Sequence, residues 1–357
     1  MYTILAADIG GTNCRFALFR ADRENPEKPL LSLLREKWLP GNDYPEFRQA
    51  LQALRAPLAD GKDGPFLPES GTIPAIAVLA PAGPVEGDSC RLSNLPWVIR
   101  ADDLRRELGI ADVRLINDFA AQAYACLMPE NIDAAPILPG RPVPGAPVAV
   151  AGAGTGFGQA LILNKNRPFA PSTQEALEMA PHGRVLRDLM RAEILPSEGG
   201  HCDFPFTGKD ELAFADFVRQ KAGIDRIIGD AVVSGSGLAH IFAFLTGERL
   251  PPNEVTGRLS SHPRVLEWYA RFYGRACRNY VLTTLALGGL YVTGGMALRV
   301  PVLSHPAFAA EFHHSAAQKR LLQNLPVFHV QKPEAGLWGA ALYALLRMEE
   351  KGRNFPV

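Results

Sequence analysis

Apolar residues along the chain fall into short runs that stop at glycine. Residues 3–8 (TILAAD) predict a strand, and residues 14–19 (CRFALF) predict a second, so the N-terminus reads as strand, tight loop, strand. Residues 44–55 place apolar positions at helical spacing and predict a helix. Residues 56–71, rich in proline, glycine and charge, read as an exposed loop, and 73–80 (IPAIAVLA) as a buried strand ended by Pro81 and Gly83. A short helix over 101–108, a strand over 112–117 and a helix from 118 to about 127 follow. Residues 135–147 (APILPGRPVPGAP) read as a proline-rich connection at a lobe boundary. The strand 148–152 (VAVAG) then runs into GAGTGFG, and the following QALILN is again strand-like. Strand, glycine loop, strand thus occurs twice, near residue 10 and near residue 155, a weak internal duplication. Alternating strands and helices predict an α/β protein of two related lobes around a cleft.

Bulk properties narrow the class. A chain of 357 residues exceeds what one compact core usually holds. Lysine plus arginine and aspartate plus glutamate are 37 each, which disfavours a general nucleic-acid binder. It does not disfavour phosphate ligands, which backbone N–H groups can hold. The five cysteines (Cys14, Cys90, Cys126, Cys202, Cys277) are scattered with no CxxC pair, as reduced thiols of a cytoplasmic protein would be. The N-terminus has no basic region and carries Asp8 inside its apolar run, unlike a signal peptide. Residues 279–298 carry no charge, but their glycines and threonines predict a buried helix, a turn and a strand, not a membrane span.

The glycine loops could bind phosphate. In Asp8-Ile9-Gly10-Gly11-Thr12-Asn13 two glycines admit close backbone approach, and Thr12 adds a hydroxyl. Asp8, at a strand end beside that loop, suits a magnesium ion held through water. A plain hairpin turn with Asp8 as its cap is the alternative. Gly152 to Gly158 follows the same logic around Gly154, Thr155 and Gly156, though a dinucleotide fold also uses such glycines. The strand-like segment behind the loop argues against that fold, and no Walker A pattern is present.

Asn117-Asp118 ends a strand and begins a helix, where an aspartate is stabilised as the anion. It is either a helix N-cap or a general base for a sugar hydroxyl. Glu198-Gly199-Gly200-His201 places two hydrogen-bonding side chains around two glycines, which suits sugar hydroxyls better than zinc. A surface turn is the alternative. Gly288-Gly289 and Gly294-Gly295 flank LYVT and would let an adenosine lie against backbone, or simply allow close packing. His313 and His314 read as solvated.

The order of these signals resembles the bacterial glucokinase family. ADIGGTNCRFALF, LSNLPW, LINDFAAQAYA, AGAGTGFGQALI, SEGGHCDF, VVSGSGL, GGLYVTGGMALR and PEAGLWGAALYAL follow in sequence from about residue 3 to about 346. The resemblance implies a two-lobed hexokinase/actin-like (ribonuclease H-like) α/β fold with an interlobe cleft. It implies a small lobe of 1–128 plus 332–357 and a large lobe of 129–331. It places the catalytic base on Asp118 and sugar ligands on Asn94, Asn117, Asp118, Glu198 and His201. The phosphate loops fall on 8–13 (Asp8, Gly10, Gly11, Thr12, Asn13) and 153–156 (Gly154, Thr155, Gly156), and the adenosine segment on 294–296 (Gly294, Gly295). ATP and Mg2+ are the implied cofactors, with Asp8 near the metal, and a cytoplasmic homodimer feeding glycolysis is the implied setting.

Three departures stand out. A glutamate that the family uses on the sugar reads here as Asp230 in GDAVVSG, which leaves the sugar preference open. Residues 168–196 look longer than the family's link. The zinc-binding cysteine cluster of the related repressor–kinase family is missing. The expected reaction is ATP-dependent phosphorylation of glucose to glucose 6-phosphate. Its alternatives are another hexose or amino sugar, a polyphosphate donor, a sugar-sensing regulator, or a dinucleotide-dependent oxidoreductase. The regulator is disfavoured because the first strand begins at about Thr3, without a preceding DNA-binding domain.

Overall fold

The structure, a computed structural model, describes all residues except 1, 12, 23–24, 26–27, 55–65, 68–72, 93–94, 165–181 and 354–357, and omits the side chains of 164, 182–184 and 351–353. Two compact units emerge. The first gathers residues from 1–132, 171–192 and 334–357, and the second those from 133–170 and 193–333.

The first unit carries a five-stranded sheet. Strands β1 (Tyr2–Ile9), β2 (Asn13–Ala21), β3 (Leu31–Pro40) and β4 (Ile76–Pro81) enter it directly. A small meander of β5 (Val85–Glu86), β6 (Ser89–Arg91) and β7 (Val98–Arg100) follows, then β8 (Val113–Leu115) completes the sheet. The order is β3-β2-β1-β4-β8, with β1 antiparallel to β2 and parallel to β4. β4 is buried at every position, the mark of a strand covered on both faces. Trp97, Phe16 and Phe66 fill the core on one side, and helices Asp118–Ala125 and Ala335–Arg353 pack together and against the sheet.

The second unit holds β9 (Ala134–Leu138), β10 (Val148–Ala153), β11 (Phe157–Asn164), β12 (Ala192–Ser197), β13 (Gly289–Thr293) and β14 (Val327–Val330), ordered β12-β11-β10-β13-β14-β9. β10 is antiparallel to β11 and parallel to β13. Its core is built around the helix Pro263–Thr284, whose Tyr269, Phe272 and Tyr273 are fully buried.

Numbered within each unit, the five shared strands have one order: third, second, first, fourth, fifth. The repeated strand–glycine loop–strand pattern in the sequence is therefore a repeated sheet. The uncharged stretch 279–298 is the end of a helix, a left-handed residue at Leu285 (φ 49°) and β13, as expected. Among the described residues no helix is long and apolar enough to cross a membrane.

Three local expectations are corrected. Ala134–Leu138 is an edge strand, not part of a connection. Pro136 is tolerated there because the strand lies at the sheet margin, and the register against β14 is irregular beside it. In the expected loop 56–71, Phe66 and Leu67 are buried and the Leu67 N–H donates to Leu54 O at 3.1 Å; the rest lies outside the described residues. His314 is exposed as expected, but His313 is half-buried against the Phe312 ring, and burial lowers its pKa.

Candidate active site

In an open α/β sheet, loops at the carboxyl ends of parallel strands gather at one edge and form the usual ligand site. In the first unit β1, β4 and β8 are parallel, and their carboxyl ends deliver Asp8 and, two residues past Leu115, Asn117-Asp118. Asp8 pairs across the hairpin with Arg15, and Arg15 pairs with Trp38 on β3. The Arg15 guanidinium lies over the Trp38 ring at 4.0 Å, a cation–π contact that fixes it beside the carboxylate. Burial pushes the Asp8 carboxyl above the ordinary aspartate range, against the opposing pull of Arg15. The helix Ala335–Arg353 begins against this carboxylate. A Cβ on Gly336 would stand 3.0 Å from Asp8 Oδ2 and 3.0 Å from Gln122 Nε2, so any larger residue there would have to push both side chains back by a few tenths of an ångström. The sequence reading missed Gly336 and Gln122, because only the packed helices bring them to Asp8.

The first glycine loop is a hairpin turn. The Gly10 N–H donates to Asn13 O at 3.0 Å and closes it, so Gly10 spends its donor on the turn. Gly11 and Asn13 lie at its accessible tip; Thr12 lies outside the described residues, as does Asn94.

At the strand–helix junction the two candidate caps separate. Asn117 is the N-cap of the helix Asp118–Ala125: its Oδ1 accepts from Phe119 N at 2.9 Å and Ala120 N at 3.1 Å. Its Nδ2 donates to Gly83 O at 3.3 Å, tying the cap to the loop after β4. Capping therefore falls on Asn117, and Asp118 occupies the first helical position, where the dipole and first-turn N–H groups favour a carboxylate.

In the second unit β10 and β13 are parallel, and their carboxyl ends deliver Gly154–Gly156 and Gly294–Gly295. The Gly154 N–H donates to Gly156 O at 2.8 Å, again closing the turn, and Gly154 O accepts from Gly235 N at 3.1 Å. Thr155 is exposed at the tip. Gly294 has φ 92°, and a Cβ there would meet Ala153 O at 2.6 Å, so this glycine is required twice over. The turn is anchored from below, where the Ala153 N–H donates to the buried Tyr273 hydroxyl at 3.0 Å.

The turn Glu198–His201 lies against the start of β11. The Gly199 N–H donates to Ser197 Oγ at 3.1 Å, and the His201 N–H to Glu198 O at 3.0 Å. Glu198 and His201 are both exposed, so their polar ends remain accessible to a ligand. Gly200 is pinned: a Cβ there would come within 2.0 Å of Phe157 O and 2.6 Å of Asp230 Oδ1. Asp230 begins the short helix Asp230–Val233, and its Oδ1 accepts from Phe157 N at 2.8 Å. Gly154, Thr155, Gly156, Glu198, His201, Asp230, Gly294 and Gly295 are thus gathered at one edge of the second sheet, and Asp8, Gly10, Gly11, Asn13, Asn117 and Asp118 at one edge of the first.

Among the described residues no group of three His, Cys, Asp or Glu side chains could hold a metal ion. A single carboxylate such as Asp8, beside one arginine, fits a magnesium ion held through water, since Mg2+ usually keeps several waters and takes only one or two carboxylates.

The sequence matches the profile of the family described as Glucokinase over residues 5–184 and 182–347. A Glucokinase of Stenotrophomonas maltophilia is 31% identical, covering 96% of this chain and 94% of its own. The crystal structure of a glucokinase from an Antarctic psychrotroph is 25% identical with a TM-score of 0.68, covering 96% and 98%. A ROK family glucokinase from Streptomyces griseus, solved with glucose and AMPPNP, shares the fold at 16% identity and a TM-score of 0.52, covering 97% and 99%. The two repeated sheets, the glycine turns at their carboxyl edges and the full-length match agree: the chain is a sugar kinase and belongs to the glucokinase family.

Proposed function

We propose that this kinase transfers the γ-phosphoryl group of ATP to the 6-hydroxyl of glucose, giving ADP, glucose 6-phosphate and a proton, with Asp118 as general base. The observation that carries the reading is the division of labour at the helix start. Asn117 takes the capping bonds, and Asp118 holds a carboxylate at the first helical position. Such a carboxylate orients the sugar hydroxyl and accepts its proton late, because the transition state of phosphoryl transfer is loose and needs little activation of the nucleophile.

Glu198 and His201 on their exposed turn would hydrogen-bond sugar hydroxyls, with Asn94 and Asn117 as further sugar ligands and Asp230 behind the Glu198–His201 turn. Thr155 and Gly156, with Gly11, Thr12 and Asn13, would meet phosphate oxygens, while Gly294 and Gly295 would meet the adenosine. Asp8 would hold a magnesium ion through water, and that ion would neutralise phosphate charge. The AMPPNP and glucose in the Streptomyces griseus structure support the choice of donor and acceptor. A cytoplasmic homodimer feeding glycolysis belongs to the same proposal.

The test is ADP release that depends on ATP, Mg2+ and glucose, compared with Asp118→Ala. The expected result is activity in the wild type and loss by several orders of magnitude in the variant, with an unchanged melting curve. Undiminished turnover in Asp118→Ala would put the base elsewhere. Wild-type turnover with a different hexose, an amino sugar or polyphosphate instead would reassign the substrate or donor.

A further inference from the structure

Asp230 stands where the resemblance places a sugar-binding glutamate, yet the shorter side chain is turned into the protein. Its half-buried carboxylate lies against two of the candidate turns. Oδ1 accepts the Phe157 N–H at 2.8 Å, at the foot of the Gly154–Gly156 turn. Oδ2 lies against Gly156, where a Cβ would approach it to 2.6 Å. Oδ1 also lies against Gly200, within the sugar-side turn, where a Cβ would approach to 2.6 Å.

The neighbouring backbone ties the Glu198–His201 turn to the Asp230 segment. The Gly229 N–H donates to Cys202 O at 3.1 Å, and Phe204 N–H to Ile227 O at 2.8 Å, fastening the residues after His201 to those before Asp230. On the far side the helix Pro263–Thr284 anchors both ends of the arrangement. The Tyr269 hydroxyl donates to Val233 O at 2.7 Å, and the Tyr273 hydroxyl accepts from Ala153 N. Asp230 therefore touches both the Gly154–Gly156 turn and the Glu198–His201 turn.

We infer that Asp230 is a positioning residue that couples the two turns: it fixes the direction of the Phe157 amide, and hence the tip Thr155–Gly156, while bracing Gly200 so that Glu198 and His201 project together. A carboxylate accepting an N–H is a charge-assisted bond, about twice as strong as a neutral one. Gly156 and Gly200 are glycines because the carboxylate and the Phe157 carbonyl occupy the space a Cβ would need. The inference rests on reading Gly154–Gly156 as nucleotide-binding and Glu198 with His201 as sugar-binding.

The experiment is isothermal titration of glucose, and separately of Mg2+-AMPPNP, into wild type, Asp230→Ala and Asp230→Asn. Loss of one hydrogen bond to a charged group corresponds to a fold-change of roughly 10 to 100. The expected result is that Asp230→Ala weakens both ligands by about that factor. Asp230→Asn, whose amide oxygen still accepts from Phe157 but as a neutral group, should lose about 3- to 10-fold for both, short of the Asp230→Ala loss. Should Asp230→Ala not fold, Gly156→Ala serves in its place. Its Cβ displaces the carboxylate, so it should weaken glucose although it lies in the nucleotide turn. Weakening of glucose alone by both Asp230 variants would make Asp230 a direct sugar ligand and overturn the coupling. Unchanged affinities in Asp230→Ala would also overturn it. A wild type that binds both ligands but phosphorylates no hexose would refute the proposed reaction while leaving the coupling measurable.

Discussion

The assignment of the helix cap to Asn117 can be tested without any substrate. In Asn117→Ala two first-turn N–H groups, those of Phe119 and Ala120, lose their acceptor, and Gly83 O loses a donor. Removing an Asn cap costs about 1 kcal/mol within a range of 0.5–2, and one further part-buried hydrogen bond about 0.5–1 kcal/mol. The expected loss is thus about 1–3 kcal/mol. For a unit of about 150–250 residues each kcal/mol lowers Tm by about 2–4 °C, so the midpoint should fall by about 2–12 °C. Asn117→Asp keeps an equally good cap and loses only the donor to Gly83 O, so its loss should be about 1 kcal/mol or less. Differential scanning calorimetry of the three proteins gives the comparison, and hexose kinetics add a second reading. Because Asp118 follows the cap directly, Asn117→Ala should also lower kcat, by displacing the first helical turn. A melting point of Asn117→Ala within 1 °C of wild type, or an equal loss in Asn117→Asp, would refute the capping argument. A raised sugar KM in Asn117→Asp at nearly unchanged Tm would identify Asn117 as a sugar ligand as well.

Two further outcomes are expected. Arg275 is 3% exposed, and its guanidinium meets Glu211 at 2.5 and 3.0 Å and Glu311 at 2.9 Å, so Glu211→Ala leaves the buried arginine only Glu311, which Arg278 shares, and should cost up to about 3–5 kcal/mol in thermal or urea unfolding. Asp216→Ala, which breaks an exposed pair with Arg219, should cost under about 1 kcal/mol; equal losses would refute the burial argument. Burial raises the Glu211 carboxyl, but hydrogen bonds from Arg275 and the Thr207 N–H, with the charges of Arg275 and Arg271, outweigh it and hold the pKa below 4.5. The folded value is the lower one, so this stabilisation is complete above about pH 4.5 and lost as pH falls through the folded pKa. Tm measured against pH should fall more steeply below about pH 4.5 in wild type than in Glu211→Gln. Among the five cysteines only Cys202 is exposed, while burial holds the Cys14 thiol up to about 12 with help from Asp8. One thiol should react with a disulfide reagent in the native protein and five after denaturation, and saturating glucose should slow the first because Cys202 adjoins His201. No effect of glucose would place the sugar away from this turn.

What could be read in the sequence was local. A strand that stops at paired glycines and resumes as a strand has few solutions other than a hairpin, and both hairpins are found where the pattern places them. Asn117 and Asp118 could not be separated by sequence, because either residue caps well. The phase was decided by where β8 ends and by Gly83, 34 residues earlier, which accepts from Asn117 and not from its neighbour. Asp230 was legible as a departure but not as a link, since its partner Phe157 is 73 residues away. Likewise Gly336 belongs to a segment noted for resemblance alone, and its constraint arises only when two packed helices meet Asp8. Buried apolar runs announce themselves by pattern; a polar group whose partner is remote does not.

The two sheets also explain why only one of the hairpins carries an acid at its base. The closing pairs are Ile9 with Cys14 and Ala153 with Phe157, so the position equivalent to Asp8 in the second sheet is Gly152. A Cβ on Gly152 would lie 2.2 Å from Thr293 O on the parallel neighbour β13. No side chain fits there, whereas in the first sheet the equivalent space holds a carboxylate balanced by Arg15. The second turn can therefore offer a ligand only backbone and the Thr155 hydroxyl, whereas the first has the Asp8 carboxyl group at its base. A polyphosphate needs both kinds of partner, N–H groups for its oxygens and a cation for its charge, and a carboxylate attracts phosphate only through such a cation. Under the proposed reaction the magnesium ion would therefore belong with the first turn, and the difference that favours it, Asp8 against Gly152, is one of packing.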